Sequence, residues 1–147
     1  MVKKKKISVI IQARYNSSRF EGKVLAKIKN KSLLEILINR IKKAKNIDQI
    51  IVACTKNSKD EGIINICKKL KIKFYRGSES NVISRYFFAA KKYGIKNIIR
   101  ITADCPLIDP KVLDSLTKFY LNNKYDYVAN TINPTFPDGM DIEIFNF

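Results

Sequence analysis

The chain has 147 residues, of which 46% are hydrophobic, and this is enough for one globular domain with a buried core. It contains 29 Lys and Arg residues against 13 Asp and Glu residues, and it contains no His. Without His, Ser–His and Cys–His catalytic arrangements are excluded. Any chemistry must therefore use carboxylates, Lys or Arg, backbone amides or a bound metal ion.

The formal net charge of +16 suggests nucleic acid as one class of ligand. However, Lys heavily outnumbers Arg, and many of the lysines lie in helical segments such as RIKKAK and CKKLKIK, where a solvated surface is the default interpretation. We therefore expect no nucleic-acid partner. The same charge would attract small anionic molecules.

The three cysteines, Cys54, Cys67 and Cys105, form no CxxC pair, which is typical of buried thiols in a reducing compartment. The basic run at Lys3 to Lys6 resembles the start of a signal peptide, but the apolar run after it is shorter than the roughly 7–15 residues that such a signal needs. No apolar run approaches the roughly 18 residues needed to cross a membrane. We expect a cytoplasmic protein with no membrane contact.

The hydrophobic pattern alternates short β-branched runs with longer runs of helical periodicity. Strands are predicted at residues 6–13, 49–55, 72–77, 96–104, 125–130 and 140–145, and helices at 33–45, 62–70, 79–94 and 109–121. This order predicts an α/β fold, a three-layer sandwich with a mostly parallel sheet between two helical layers. No repeat or linker divides the chain, so we treat residues 1–147 as a single domain.

Helix-capping patterns support several of these bounds. Ser32 with Glu35, and Ser58 with Glu61, have the spacing of a capping box at the start of a helix. Asp109 precedes a proline at the first position of the last predicted helix, which indicates an N-cap. These signals predict where three of the four helices begin.

The loop QARYNSSRFEGK, at residues 12–23, directly follows the first strand, at the edge of a parallel sheet where ligands bind. Arg14, Arg19 and Lys23 offer charge-assisted contacts to phosphate oxygens, while Ser17 and Gly22 can expose backbone amides. The segment matches neither the P-loop nor the GxGxxG pattern. An ordinary surface loop with scattered cations is the alternative, but the position after a strand favours phosphate binding.

Asp104 ends the fourth predicted strand in RITADCPLIDP, where its carboxylate would face the same crevice. A carboxylate beside a phosphate-binding loop repels the ligand unless a cation lies between them, so Mg²⁺ is the natural bridge. A role in a turn or a cap is the alternative for this residue.

Two further segments carry polar residues at strand ends. Arg76 and Ser78 in RGSESN are placed to reach a nucleobase or a phosphate, with a simple turn as the alternative. In TFPDGMDIE, Asp138 precedes Asp141 and Glu143, which would share one face of an extended segment. These carboxylates could hold sugar hydroxyls or a metal, or form only a solvated acidic edge.

Taken together, four segments resemble the spore coat polysaccharide cytidylyltransferases, which are related to the acylneuraminate and ketodeoxyoctonate cytidylyltransferases. The segments are IIQARYNSSRFEGKVL, YRGSESNVISRY, RITADCPLIDP and NTINPTFPDGMDIEIF. The resemblance covers nearly the whole chain and implies a Rossmann-like α/β sandwich of the nucleotide-diphospho-sugar-transferase type. It also implies transfer of CMP from CTP to a sugar or sugar acid, with release of pyrophosphate, in nucleotide-sugar and polysaccharide biosynthesis.

The resemblance also implies roles for individual residues. The implied nucleotide-binding residues are Gln12, Ala13, Arg14, Ser17, Arg19, Lys23, Arg76 and Ser78. The implied catalytic residues are Arg14, Arg19, Lys23 and Asp104. Asp104 matches the ligand of a Mg²⁺ cofactor, and Asp138 and Asp141 fall in the region that approaches the acceptor sugar.

The chain departs from the family pattern at two places. Glu21 stands where the family usually has Pro, which puts a carboxylate inside the phosphate loop. Family members continue well beyond Phe147 with a second acidic Mg²⁺ ligand and part of a homodimer contact, so we expect the chain to match the N-terminal portion of the family domain. The alternatives are a nucleotidyltransferase that uses another nucleotide and a sugar 1-phosphate, and a nucleotide-binding unit without turnover.

Overall fold

The structure, a computed structural model, describes residues 7–147, so the basic run at Lys3 to Lys6 lies outside the described residues. The strands are β1 (Ile7–Gln12), β2 (Lys27–Ile28), β3 (Lys31–Ser32), β4 (Gln49–Thr55), β5 (Lys73–Gly77), β6 (Asn97–Thr102), β7 (Tyr127–Ala129) and β8 (Glu143–Asn146). The helices are α1 (Leu33–Ile41), α2 (Glu61–Lys69), α3 (Val82–Tyr93) and α4 (Pro110–Asn122). Short 3₁₀ turns lie at Lys23–Leu25 and Ser58–Asp60.

Six strands form the central sheet in the order β5-β4-β1-β6-β8-β7, while β2 and β3 form a separate antiparallel hairpin. Strands β5, β4, β1 and β6 are parallel to their neighbours. Strand β8 is antiparallel to both β6 and β7. The predicted α/β fold with a mostly parallel sheet is confirmed.

The sheet is buried on both faces, which explains the near-continuous apolar character of its central strands. Along β1, Val9 and Ile11 face the core formed with α1, α2 and α4, whereas Ile10 packs against α3 on the opposite side. Side chains alternate between the faces of a strand, so each of these residues is enclosed by a helical layer. The predicted three-layer arrangement is confirmed.

The capping box at the start of α1 is confirmed. The Ser32 hydroxyl accepts a hydrogen bond from the Glu35 backbone N–H at 3.1 Å, and the Glu35 carboxylate accepts one from the Ser32 N–H at 2.8 Å. The predicted N-cap at Asp109 is also confirmed, because its carboxylate accepts a hydrogen bond from the Lys111 N–H at 2.6 Å. Local sequence therefore determines both helix starts.

The second predicted capping box, formed by Ser58 and Glu61, is wrong. Asn57 lies one residue earlier, and its side chain caps the 3₁₀ turn by accepting a hydrogen bond from the Lys59 N–H at 3.0 Å. Helix α2 then begins without a side-chain cap, since the Asp60 carboxylate bonds to the end of β4 instead. A neighbouring acceptor and a tertiary contact override the pattern.

Two helices are shorter than predicted, because the chain beyond their observed ends makes other hydrogen bonds. Helix α1 ends at Ile41, and the backbone N–H groups of Lys45 and Asn46 bind the carboxylate of Asp114 on α4 at 2.9 and 2.8 Å. Helix α3 begins at Val82 because the Asn81 side chain accepts a hydrogen bond from the backbone of the first helical turn. None of the described helices has both the length and the apolar character needed to cross a membrane.

Candidate active site

A cavity of about 210 Å³ lies at the carboxyl end of the sheet, between the loop after β1 and the loop after β6. Its lining comes from these two segments: Gln12, Arg14, Asn16, Ser17, Ser18, Arg19, Lys23, Val24, Thr102, Ala103 and Asp104. The structure therefore brings six of the predicted site residues together at the edge where parallel sheets bind ligands.

The loop after β1 is held in a compact shape by its own backbone. The Gly22 N–H donates a hydrogen bond to the Tyr15 carbonyl at 2.9 Å. Gly22 has a φ of +71°, and a Cβ at this position would lie 3.0 Å from the Tyr15 ring. Only glycine adopts this conformation without strain and leaves room for the ring. The loop can therefore present its cations in a defined arrangement.

Asp60 fastens this loop to the end of β4. Its buried carboxylate accepts hydrogen bonds from the Tyr15 N–H, the Thr55 N–H and the Thr55 hydroxyl, each at 2.7 Å. Charge-assisted bonds of this kind are stronger than neutral ones. The sequence analysis missed this role, because Asp60 stands in an ordinary helix-start pattern 45 residues away from Tyr15.

Glu79 joins three loops at the same edge of the sheet. Its carboxylate accepts hydrogen bonds from the Asn16 side chain at 2.5 Å and from the Asn57 side chain at 3.2 Å. These two bonds lower the pKa of Glu79, so the carboxylate is ionised at neutral pH. The loops after β1, β4 and β5 are thereby connected, and no pattern in the sequence indicates this contact.

Lys23 and Asp104 face each other across the cavity with an N–O distance of 3.3 Å. Burial opposes ionisation of Asp104, but hydrogen bonds from Thr102 and Lys23 and the charge of Lys23 outweigh it, so its pKa is lowered. Asp104 is therefore an anion at neutral pH. The cavity therefore has a cation and a carboxylate side by side, whereas the sequence analysis expected Mg²⁺ between Asp104 and the phosphate loop.

Arg14 and Arg19 are exposed and line the cavity. Neither guanidinium is paired with a carboxylate among residues 7–147. Glu21, the departure from the family pattern, is bound by Lys59 at 2.6 Å and lines a neighbouring cavity together with Arg14 and Arg19. The two arginine charges are thus available to a bound anion.

Ala13, Arg76 and Ser78 lie outside the cavity lining. Ala13 is buried, and its N–H donates to the Ala53 carbonyl at 3.1 Å. The Arg76 guanidinium donates to the carbonyls at the end of β4, including Thr55 at 3.2 Å and Asn57 at 3.0 Å. Their roles in nucleotide binding, like that of Ser78, stay predictions.

Ser78 closes the turn that precedes α3, since its hydroxyl accepts a hydrogen bond from the Asn81 N–H at 3.1 Å. The predicted sugar-binding residues Asp138 and Asp141 are both exposed in the segment before β8. Asp141 lies close enough to Cys105 for its charge to raise the pKa of that thiol, although burial is the larger cause. Neither Asp138 nor Asp141 lines the cavity, so their roles in binding the acceptor stay predictions.

The three cysteines are buried and unpaired, as predicted. Burial raises the pKa of the Cys54 thiol to about 11 and that of Cys67 to about 12. Thiols with such values are protonated at neutral pH and do not act as nucleophiles. The chemistry of the site therefore depends on the cations and on Asp104.

Residues 8–139 match the family model described as Cytidylyltransferase. The chain belongs to the cytidylyltransferase family. The chain is 33% identical over 146 residues to the spore coat polysaccharide biosynthesis protein SpsF of Bacillus subtilis, an alignment that covers 95% of the chain and 59% of SpsF. The match confirms the family resemblance seen in the four sequence segments.

Solved structures agree with this assignment. A cytidylyltransferase from Leptospira borgpetersenii has a TM-score of 0.92 and 38% identity, covering 96% of this chain and 60% of that one. CMP:2-keto-3-deoxy-manno-octonic acid synthetase complexed with CTP has a TM-score of 0.67 and 20% identity, covering 90% of this chain and 50% of that one. At this identity the similarity supports the fold alone. The chain thus spans between half and three fifths of the length of these proteins.

Proposed function

We propose that the chain is a CTP-dependent cytidylyltransferase that transfers CMP to a sugar or sugar acid and releases pyrophosphate. The observation that supports this most directly is the cavity, in which Arg14, Arg19 and Lys23 lie near Asp104. A triphosphate requires such a cluster of cations. The synthetase complexed with CTP shares the fold, and SpsF is named for polysaccharide biosynthesis, the context in which CMP-sugars are made.

The cations would hold the nucleotide by its phosphates. The unpaired guanidinium groups of Arg14 and Arg19 suit charge-assisted contacts to phosphate oxygens, and the hydroxyls of Ser17 and Ser18 lie beside them. Because Asp60 and Glu79 fix the loop that carries these groups, less ordering is needed when a ligand binds.

The donor set at the cavity fits a Mg²⁺ ion. Asp104 is an ionised carboxylate on the cavity wall, and residues 7–147 contain no cluster of three acidic, Cys or His side chains that could hold a metal alone. Mg²⁺ is usually held by one or two carboxylates together with substrate phosphates and water. Asp104 would hold the ion, which when bound would stabilise negative charge on the triphosphate.

In the proposed reaction the oxygen of an acceptor hydroxyl forms a bond to the α-phosphorus and its proton passes to water, while the bond to the pyrophosphate oxygen breaks. Negative charge then builds on the equatorial and leaving oxygens. Arg14, Arg19 and Lys23 would stabilise that charge from fixed positions, which is where electrostatic catalysis has its largest effect. Alignment of the two substrates supplies much of the remaining acceleration. Asp138 and Asp141 would orient the acceptor.

The proposal is tested by calorimetric titration of the full chain with CTP, UTP, ATP and GTP, with and without Mg²⁺. We expect saturable, Mg²⁺-dependent binding of CTP, followed by pyrophosphate release when sugar acids are added. Turnover of another nucleotide with a sugar 1-phosphate would replace the proposal with a different nucleotidyltransferase. Binding of CTP without pyrophosphate release would identify a nucleotide-binding unit. Tighter, salt-sensitive binding of oligonucleotides would contradict it.

A further inference from the structure

A second cavity, of about 520 Å³, adjoins the first one at the loop after β1. Its lining is Arg14, Asn16, Ser17, Ser18, Arg19 and Glu21. The two cavities share the unpaired guanidinium groups of Arg14 and Arg19, but the second adds the carboxylate of Glu21. Carboxylates and phosphates are both acceptors for guanidinium donors. Glu21 is therefore placed to compete with a bound phosphate for these two arginines.

The Glu21 carboxylate is bound by Lys59 and not by an arginine. The Lys59 Nζ atom donates a hydrogen bond to Glu21 Oε1 at 2.6 Å. Within residues 7–147, neither Arg14 nor Arg19 forms an ion pair with a carboxylate. The hydrogen bond and the charge of Glu21 raise the pKa of Lys59, so this lysine is a cation at neutral pH. The charge of Glu21 is thus balanced by a lysine that lines neither cavity.

The position of Lys59 is set by the 3₁₀ turn that follows β4. Asn57 caps this turn by accepting a hydrogen bond from the Lys59 N–H at 3.0 Å, and the next residue, Asp60, binds the Tyr15 N–H at 2.7 Å. The Lys59 Nζ atom also lies 5.8 Å from the centre of the Tyr15 ring, within the range of a cation–π contact. Two consecutive residues of one turn therefore contact the loop after β1 at two points, Tyr15 and Glu21.

We propose that Lys59 is a positioning residue for anion binding, because it holds the Glu21 carboxylate away from the guanidinium groups of Arg14 and Arg19. The inference rests on the proposed function and assigns a role in the same site to a residue outside both cavities. Without Lys59, the Glu21 side chain turns to the nearest unpaired cations. A phosphate then has to displace an internal carboxylate and to bind beside an unbalanced negative charge, and both effects lower its affinity.

The exposure of this ion pair determines which property a substitution changes. Both side chains are 55% exposed, so water screens the pair and it contributes little to stability. Substitutions of Lys59 or Glu21 should therefore leave the chain folded. Ligand affinity changes more, because a triphosphate carries several negative charges and each of them is repelled by a free carboxylate. We expect a change in affinity of about three- to tenfold.

The test measures the dissociation constants of the full chain for CTP with Mg²⁺ and for tripolyphosphate, which has three phosphates but no base. Lys59→Gln removes the charge and should raise both constants about three- to tenfold. Lys59→Arg keeps the charge and should leave both within about twofold of the wild type. Adding Glu21→Gln to Lys59→Gln removes the carboxylate as well, so both constants should return to within about twofold of the wild type. A merely structural role for Lys59 predicts no such rescue.

Lys69→Gln is the matched control, because it removes the same charge from an ion pair with Glu35, and Lys69 lines neither of the two cavities. Its dissociation constants should stay within about twofold of those of the wild type. Thermal denaturation checks that each variant is folded.

Three results would overturn the inference and leave the proposed function standing. They are an equal loss of affinity in Lys69→Gln, an unchanged affinity in Lys59→Gln, and a double variant that binds as weakly as Lys59→Gln. In the last case Lys59 would contact the ligand itself. Binding of tripolyphosphate but not of CTP would contradict the proposed function alone, and binding of neither would overturn both.

Discussion

Lys23 and Asp104 are 37% and 42% exposed, and their ion pair is therefore screened by water. An exposed pair of this kind contributes at most about 1 kcal/mol to stability. The two charges can consequently exchange partners with a bound triphosphate and its cation at little cost to the fold. Under the proposed function, Lys23 and Asp104 would serve ligand binding more than folding.

Replacing Asp104 by Asn tests that conclusion. Asp104→Asn keeps the shape of the side chain but removes the negative charge, so CTP binding should lose its dependence on Mg²⁺ while the free energy of unfolding changes by less than about 1 kcal/mol. Calorimetry with and without Mg²⁺, together with thermal denaturation, measures both effects. Asp109→Asn is the control, because Asn caps a helix about as well as Asp. Unaltered Mg²⁺ dependence in Asp104→Asn would contradict the metal assignment.

Asp60, in contrast to Lys23 and Asp104, contributes mainly to stability, because its carboxylate is buried and hydrogen bonded. Asp60→Ala leaves the N–H groups of Tyr15 and Thr55 without their acceptor, and we expect a loss of about 3 kcal/mol or more in the free energy of unfolding. Urea denaturation measures this loss of unfolding free energy. The neighbouring Glu61→Ala removes only an exposed contact to Arg76 and should cost less than about 1 kcal/mol. Similar losses for both variants would refute the role of Asp60.

Among the secondary-structure elements, α1 and α2 begin in sequence patterns that look alike but have different structures. Ser32→Ala removes a side-chain acceptor from the first turn of α1 and should cost about 1 kcal/mol of unfolding free energy. Ser58→Ala changes an exposed serine that does not cap its helix, and it should stay within about 0.5 kcal/mol of the wild type. Denaturant titrations of the two variants provide the comparison, and equal costs would argue against the observed capping.

Helix α1 also links stability to pH through Glu35. Hydrogen bonds from Lys69 and from the Ser32 backbone lower the pKa of Glu35 below its ordinary value of 4.5. The carboxylate therefore contributes stability above about pH 4.5, and this contribution is lost as the pH falls through the lowered pKa of the folded state. Glu35→Gln keeps a capping side chain without titrating. Its unfolding free energy, measured from about pH 3 to pH 6, should fall less steeply than that of the wild type.

The elements that sequence predicts correctly are those fixed by local chemistry. Apolar runs such as that of β1 and the Ser32 cap can be read from a few adjacent residues. The direction of β8 could not be predicted, because the alternation of apolar and polar residues along MDIEIF is the same for parallel and antiparallel pairing. The hairpin of β2 and β3 was missed, since each strand has only two residues and the turn depends on a positive φ of 55° at Lys29.

The same limit explains which site residues were found. Arg14 and Asp104 stand just after strands, and Lys23 lies in the loop that follows the first strand, where topology alone predicts a ligand crevice. Glu79 acts through a contact to Asn16 that spans 63 residues, and Asp60 acts through one that spans 45. Such partners are decided by how the layers pack, and a linear pattern does not record them.

At the scale of the whole molecule, the strand order places the loops after β5, β4, β1 and β6 side by side at one edge. Asp60 and Glu79 then connect the first three of these loops by hydrogen bonds, while Lys23 reaches the fourth at Asp104. The site is therefore built from segments distributed along most of the chain, and it forms only when the central sheet is complete.

The cations that line the cavity are all Arg or Lys, and the sequence contains no His, the one side chain whose ordinary titration lies between pH 5 and 8. The protein would thus present the same charges throughout that interval. Phosphate monoesters, in contrast, gain a proton near pH 6. A decline in CTP affinity between about pH 7 and pH 5.5 would then report the protonation of the nucleotide's terminal phosphate. The change in charge would occur on the ligand and not on the protein.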